Sequence, residues 1–223
     1  MAGMDKSSIP GAGGPPLVLH LETALIYSGS TAVLQRFLER CDLSRFHHDV
    51  LFRWPTTRER HLEMNPGFHR DGVRFLDKVE GDLEECAYVP EERGAALHTG
   101  PTGADERIPL RHTLGYARYV ALRLYPRARR LAKHMKARGV SHMQLNNGPA
   151  GNLPAMMAAR QARIGCTGRL QSFLTLNPFE RRFAKGMDYL MCVSNAIRDH
   201  YICLLYTSPS PRDRTRSRMP SSA

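Results

Sequence analysis

Apolar residues in this chain occur either in short continuous runs or at every third and fourth position. The run PLVLHL at residues 16–21 predicts a buried strand, and HDVLFRW at 48–54 predicts a second strand that Pro55 ends. Between them, TAVLQRFLERC has apolar residues at helical spacing and predicts a helix over residues 31–41. A strand, a helix and a strand within about 40 residues indicate parallel pairing through a right-handed crossover.

Three further strand–helix units follow in the second half of the chain. VSHMQLNN precedes NLPAMMAARQARIG, CTGRLQSF precedes NPFERRFAKG, and DYLMCVS precedes NAIRDHYI. Residues 111–138 have helical periodicity, which Pro126 is expected to kink or break and Gly139 to end. This alternation predicts an α/β protein with a doubly wound, mostly parallel, Rossmann-like sheet.

The less regular stretches set the predicted domain boundaries. Residues 1–15 are rich in Gly, Pro and Ser and predict a flexible leader before a domain at 16–202. Within that domain, residues 65–107 contain six glycines and one weak strand candidate, GVRFL, which predicts an irregular insertion. Residues 203–223 lack a periodic apolar face, so we expect them to be disordered.

Positive charge is concentrated in the second half of the chain. The net charge is +11, and residues 107–179 contain 13 Lys and Arg but no Asp or Glu. Such a field attracts anions, namely phosphate, acidic lipid headgroups or nucleic acid. The alternative is a solvated basic helix face that only aids solubility.

The composition favours a cytoplasmic protein. No apolar run reaches the roughly 18 residues that a membrane-spanning helix needs, and the N-terminal residues lack the apolar core of a signal peptide. None of the five cysteines shows C-x-x-C spacing, which predicts reduced thiols and no zinc site.

Polar residues follow the first predicted strand, at the edge where open parallel sheets bind ligands. Ser28, Gly29, Ser30 and Thr31 open the following helix. Free amides at a helix start can hold a phosphate, although an ordinary capped turn explains the same residues. These four residues are therefore candidate phosphate ligands.

The later strands also end in polar residues, which indicates one shared cleft. Asn side chains both donate and accept hydrogen bonds and suit a ligand rich in hydroxyl groups. Asn152 and Pro154 fit the start of a helix instead. The candidate ligand contacts along this edge are Asn146, Asn147, Gly148, Gln171, Ser172 and Ser194.

Several other site types find no support in the sequence. His20 lies within the first strand, so we interpret it as a core histidine or as one that supports a neighbouring site residue. The other histidines lack the H-E-x-x-H spacing of a zinc enzyme. The chain contains no G-x-S-x-G elbow and no carboxylate pair after a strand. The missing G-x-G-x-x-G counts against a nicotinamide cofactor.

Three segments together resemble the N-terminal half of family 4 glycosyltransferases: LVLHLETALIYSGSTAVLQRFLERCDLSRFHHDVLF, HMQLNNGPAGNLPAMMAARQARIGCTGRLQSF and FAKGMDYLMCVSNAIRDHYI. CVSNAIRD and NLPAMMAARQARIG are the most specific parts. The resemblance implies one half of a GT-B architecture and retaining transfer of a sugar from a nucleotide-sugar co-substrate, with no cofactor and no essential metal. It also implies that this half binds the acceptor and that the loop at 28–31 approaches the donor diphosphate.

The end of the chain bears a resemblance of another kind. CLLYTSPSPRD and SRMPSSA, within residues 203–223, resemble the translation of adapters used to build sequencing libraries. This predicts that the biological sequence stops near Ile202 and that a C-terminal nucleotide-binding domain is missing. Since transfer needs donor and acceptor held together, we expect the chain alone to be inactive.

Two interpretations remain open on these grounds. The first is the acceptor half of a glycosyltransferase, with the basic helix at 111–138 resting on anionic lipid at the inner membrane face. The second is a non-enzymatic binding module for nucleic acid or an anionic membrane surface. The lack of a known nucleic-acid motif counts against nucleic acid as a partner.

Overall fold

Six strands form one parallel sheet in this computed structural model, which describes residues 14–24, 27–66, 68–76 and 110–206. The strand order is β3-β2-β1-β4-β5-β6, and every neighbouring pair is parallel. The prediction of a doubly wound, Rossmann-like α/β fold is therefore confirmed. The strands are β1 (Leu17–Glu22), β2 (His47–Phe52), β3 (Val73–Leu76), β4 (Val140–Leu145), β5 (Gly165–Leu170) and β6 (Tyr189–Cys192).

Helices cover both faces of this sheet. They are α1 (Gly29–Arg40), α2 (Pro55–Met64), α3 (Leu110–Tyr119), a π-helical turn (Val120–Leu124), α4 (Tyr125–Ala137), α5 (Leu153–Ala162), α6 (Pro178–Ala184) and α7 (Asn195–Tyr206). Helices α4 and α5 pack closely together over the main core. The second, smaller core lies under α1.

Side-chain alternation along β1 separates the two cores, because successive residues of a strand point to opposite faces. Leu17, Leu19 and Leu21 belong to the main core. His20 and Glu22 point toward α1, where the His20 ring contacts Phe37 and the Glu22 carboxylate contacts Ser30. His20 is buried in the core, the first of the two predicted alternatives, since only 3% of it is exposed.

The helical segment around Pro126 continues instead of breaking. A π turn over Val120–Leu124 precedes the proline, and the Tyr125 N–H bonds to the Val120 carbonyl five residues back. Proline lacks an N–H and clashes with the preceding turn of a regular α-helix. The wider π turn accommodates it. The helix then ends at Ala137, and Gly139, whose φ is 68°, turns the chain away two residues later.

The sequence analysis missed α2, which spans Pro55–Met64. Its residues PTTRERHLEM have no continuous apolar stripe, and Thr57 and His61 are the buried members. The weak strand candidate GVRFL is confirmed as β3. Residues 77–107 of the predicted insertion, and residues 1–13 of the predicted leader, lie outside the described residues.

The last helix crosses the boundary predicted at Ile202. Helix α7 runs to Tyr206, and Leu205 is 2% exposed because it falls one turn after the buried Tyr201. The prediction of disorder is therefore wrong for residues 203–206, while residues 207–223 lie outside the described part. Cys41, Cys166, Cys192 and Cys203 are free thiols. Among the described residues, no helix is both long enough and apolar enough to cross a bilayer.

Candidate functional site

The candidate site lies where the strand order reverses, between β1 and β4. Parallel sheets of this kind bind ligands at such a switch point, beyond the carboxyl ends of the strands. The backbone of Asn146 follows β4 and bonds to the Leu21 carbonyl in β1 at 2.9 Å. The loops after β1, β4 and β5 therefore meet at one edge of the sheet.

A buried carboxylate, Glu22, is the centre of this site. Glu22 is fully buried and is the last residue of β1. Its Oε1 atom accepts hydrogen bonds from the Ala24 N–H at 2.8 Å and from the Asn147 Nδ2 group at 2.6 Å. The Ser30 hydroxyl lies 3.4 Å from the same oxygen, and the Asn146 amide donates to Oε2. A buried charge needs partners of this kind, so Glu22 ties the three segments together.

Arg169 supplies the compensating positive charge. Its Nη2 group donates to the Ser30 carbonyl at 3.0 Å, at the start of α1. Burial lowers the pKa of Arg169 from its ordinary value, while the Glu22 carboxylate acts in the opposite direction and favours the charged guanidinium. The hydrogen bond from Arg169 to Ser30 holds β5 against the first turn of α1.

The two amides after β4 and β5 leave acceptors for a ligand. The NH2 group of Asn147 donates to Glu22, and the NH2 group of Gln171 donates to the Asn146 carbonyl at 2.9 Å. Within the described part of the chain, the side-chain carbonyl oxygens of Asn147 and Gln171 form no hydrogen bond. Both side chains are half-buried. Two oriented acceptors at the rim suit hydroxyl donors.

Asn146 and Asn152 serve the structure of the loop. Asn146 is 1% exposed, and its amide bonds to Glu22 and to the Ser30 carbonyl. Asn152 occupies the position before α5, as predicted, but its side chain does not cap the helix. Instead it donates to the Gly148 carbonyl at 2.7 Å and holds the turn closed.

The four candidate phosphate ligands at residues 28–31 differ in how exposed they are. Ser30 and Thr31 are buried, and Ser28 bonds to the Ser30 hydroxyl at 2.9 Å. Gly29 is exposed, and a Cβ added to it would meet nothing within 4 Å. The Ser30 hydroxyl in the first turn of α1 lies 3.4 Å from the Glu22 carboxylate, so an internal anion already lies beside the start of this helix. Phosphate binding by residues 28–31 stays a prediction.

The remaining candidates lie farther along the edge. Ser194 is exposed and accepts the Ile197 N–H at 3.3 Å, which makes it the cap of α7. Ser172 is also exposed, and its carbonyl accepts from the Tyr201 hydroxyl at 3.4 Å. No hydrogen bond among the described residues links either serine to the Glu22 network, so the structure gathers Ser30, Asn146, Asn147 and Gln171 but not these two.

Gly148 allows the β4 loop to lie against β5. Its φ is +75°, and a Cβ there would meet the Leu170 Cδ2 atom at 2.7 Å. We expect Gly148→Ala to lower the free energy of unfolding by about 1.5 kcal/mol, because alanine is strained at this φ and displaces Leu170. Urea denaturation measures the loss. Gly29→Ala is the control, since that site is open, and an equal loss there would contradict the explanation.

Glu22 and Arg169 escaped the sequence analysis. The apolar run predicts a strand over residues 16–21, which places Glu22 in the following loop, and a single carboxylate does not form the pair that a hydrolytic site needs. An acidic residue directly after five mostly apolar strand residues was the available signal. Within the described residues, no group of three His, Cys, Asp or Glu side chains could hold a metal ion.

Two solved structures resemble this chain over most of its length. The apo form of the lipopolysaccharide outer core galactosyltransferase WaaB aligns with a TM-score of 0.47 at 10% identity, covering 86% of this chain and 43% of that one. MurG of Acinetobacter baumannii aligns with a TM-score of 0.45 at 11% identity, covering 82% and 42%. This chain therefore spans less than half the length of either protein. No protein-family model and no curated protein matches the sequence.

Proposed function

We propose that this chain is the acceptor-binding half of a glycosyltransferase of the GT-B architecture. The observation that carries the proposal is the pair of rim carbonyl oxygens on Asn147 and Gln171, held in place through their NH2 groups beside the buried Glu22. Sugar hydroxyls are donors that match such acceptors. The sheet edge at the strand reversal is the usual place for a ligand in this fold.

The full reaction that we propose is retaining transfer from a nucleotide-sugar, as in family 4. The bond between the anomeric carbon and the diphosphate breaks, and the acceptor oxygen forms a new bond to that carbon with the same configuration. The acceptor proton leaves with the diphosphate. Residues 28–31 would lie near that diphosphate, and Asn147 and Gln171 would orient the acceptor hydroxyl.

Acceptor binding can be tested directly on this chain. We expect methyl glycosides of glucose, galactose or mannose to shift the side-chain amide NMR signals of Asn147 and Gln171. We expect Gln171→Ala to weaken the bound glycoside about tenfold, the effect of losing one oriented hydrogen bond. Asn65→Ala is the matched control, because that amide bonds to the His61 carbonyl at the end of α2. If none of the glycosides shifts the side-chain amide signals of Asn147 and Gln171, the proposal is refuted.

An assay of sugar transfer tests whether this chain is only the acceptor-binding half of the enzyme. We expect no transfer from UDP-glucose, UDP-galactose or GDP-mannose by the present chain, since a second domain must position the donor. Measurable transfer by the present chain would show that the proposed division is wrong.

A further inference from the structure

A basic groove lies between α4 and α5, on the sheet face that holds the main core. Four cations line it, each exposed and placed on the outer side of α4. The groove encloses about 700 Å³. Its lining residues are Tyr125, Pro126, Arg129, Arg130, Ala132, Lys133, Lys136 and Gln161. The groove is separate from the switch-point site around Glu22.

The charges in this groove are not used to stabilise the fold. Within the described part of the chain, Arg129, Arg130, Lys133 and Lys136 form no ion pair. Their own segment supplies no acid either, because residues 107–179 contain no Asp or Glu. Like charges at neighbouring turns repel each other, so a bound anion would relieve that repulsion.

Apolar side chains stand beside these cations. Leu122 is 61% exposed and Tyr125 is 48% exposed, and Leu114 on α3 is 61% exposed. They lie on the outer side of the helix, since Val120 and Leu124 take the inner side and are buried. A helix that combines exposed cations with exposed Leu and Tyr side chains has the composition of an interfacial membrane helix.

We propose that the outer side of the α3–α4 segment binds the anionic surface of a phospholipid bilayer. The groove cations would meet lipid phosphates, and Leu122 and Tyr125 would enter the boundary between headgroups and acyl chains. Charge complementarity selects an anionic surface, and the apolar residues select a bilayer over nucleic acid, whose phosphate backbone offers them nothing to bury. This surface does not depend on the proposed sugar transfer.

The test compares the binding of the full chain to two kinds of vesicle. One contains phosphatidylcholine alone, and the other also contains phosphatidylglycerol. We expect sedimentation with the anionic vesicles, weakened by salt. The variant Arg129→Gln, Arg130→Gln, Lys133→Gln should partition about 100-fold less, at roughly fivefold per charge. The control Arg36→Gln, Arg40→Gln, Arg182→Gln removes three exposed charges elsewhere and should retain binding within about fivefold.

A second variant separates a bilayer from other polyanions. We expect Leu122→Ser to weaken vesicle binding about tenfold and to leave any binding of random duplex DNA unchanged, because only the bilayer buries this side chain. Circular dichroism confirms that each variant is folded. Equal losses in the groove and control variants, indifference to phosphatidylglycerol, or full vesicle binding by Leu122→Ser would each overturn the proposal.

Discussion

We expect Glu22→Gln to lower the free energy of unfolding by about 3 kcal/mol. The carboxylate is fully buried and accepts from Ala24, Ser30, Asn146 and Asn147. Glutamine preserves the volume but replaces one accepting oxygen with an NH2 group that must face donors. The change also leaves the partly buried Arg169 without its nearby anion. Urea denaturation at neutral pH measures the loss.

The matched control is Glu63→Gln. Glu63 pairs with Arg60 at 2.9 Å, but 63% of its side chain is exposed, so solvent screens the interaction. We expect a change below about 0.5 kcal/mol there. A loss at Glu22 no larger than that of the control would mean that the network does not hold the loops. Coupling between Glu22→Gln and Asn147→Ala in a double-mutant cycle would locate the effect at the site.

Acidification should destabilise the fold through His20 and its neighbour His48. The two rings are buried and their nitrogens lie 2.9 Å apart. Burial lowers the pKa of His20 from 6.5 to about 3, with further contributions from His48, His142 and Arg169. Burial, and then the charge of His47, lower the pKa of His48 to about 4.

Proton binding by the unfolded chain sets the direction in which stability changes with pH. Below pH 6.5 the unfolded chain takes up a proton on each histidine, and the folded chain does not until the pH falls to the lowered pKa values. The contribution of these two neutral histidines to the free energy of unfolding is therefore fully present above pH 6.5 and is lost as the pH falls. At about pH 5, His20 alone accounts for a loss of about 2 kcal/mol.

Urea denaturation across this pH range measures the loss. We expect His20→Gln to remove one proton from the pH dependence. A pH dependence that His20→Gln does not alter would assign the acid sensitivity to other groups.

Local sequence patterns were enough to predict the helices and strands whose apolar residues recur at regular spacing. The three strand–helix units in the second half are found where VSHMQLNN, CTGRLQSF and DYLMCVS predict them, because the alternation of short strand-like and helical segments is a local pattern. Helix α2 was missed because its burial depends on Thr57 and His61, which are not apolar residues. The π turn was missed because proline normally breaks a helix, and local sequence does not reveal the wider turn.

The candidate site was predicted in part. Polar strand ends identified Asn146, Asn147 and Gln171, which do meet at one edge of the sheet. The sequence alone does not show that the Asn146 side chain stabilises the loop, whereas Asn147 and Gln171 have side-chain carbonyl oxygens without a hydrogen bond among the described residues. Asn146 is buried against Glu22, while its neighbour Asn147 stands at the rim.

The sequence by itself determined the class of fold, the concentration of positive charge and the strand-end position of most of the candidate residues, because these depend on periodicity and composition. Only the tertiary structure decided that Glu22 and Arg169 hold the site together and that four cations of α4 line one groove. The physical reason is distance along the chain. Strand β1 pairs with β4, so the Glu22 carboxylate meets an amide 124 residues away, and no local pattern encodes that contact.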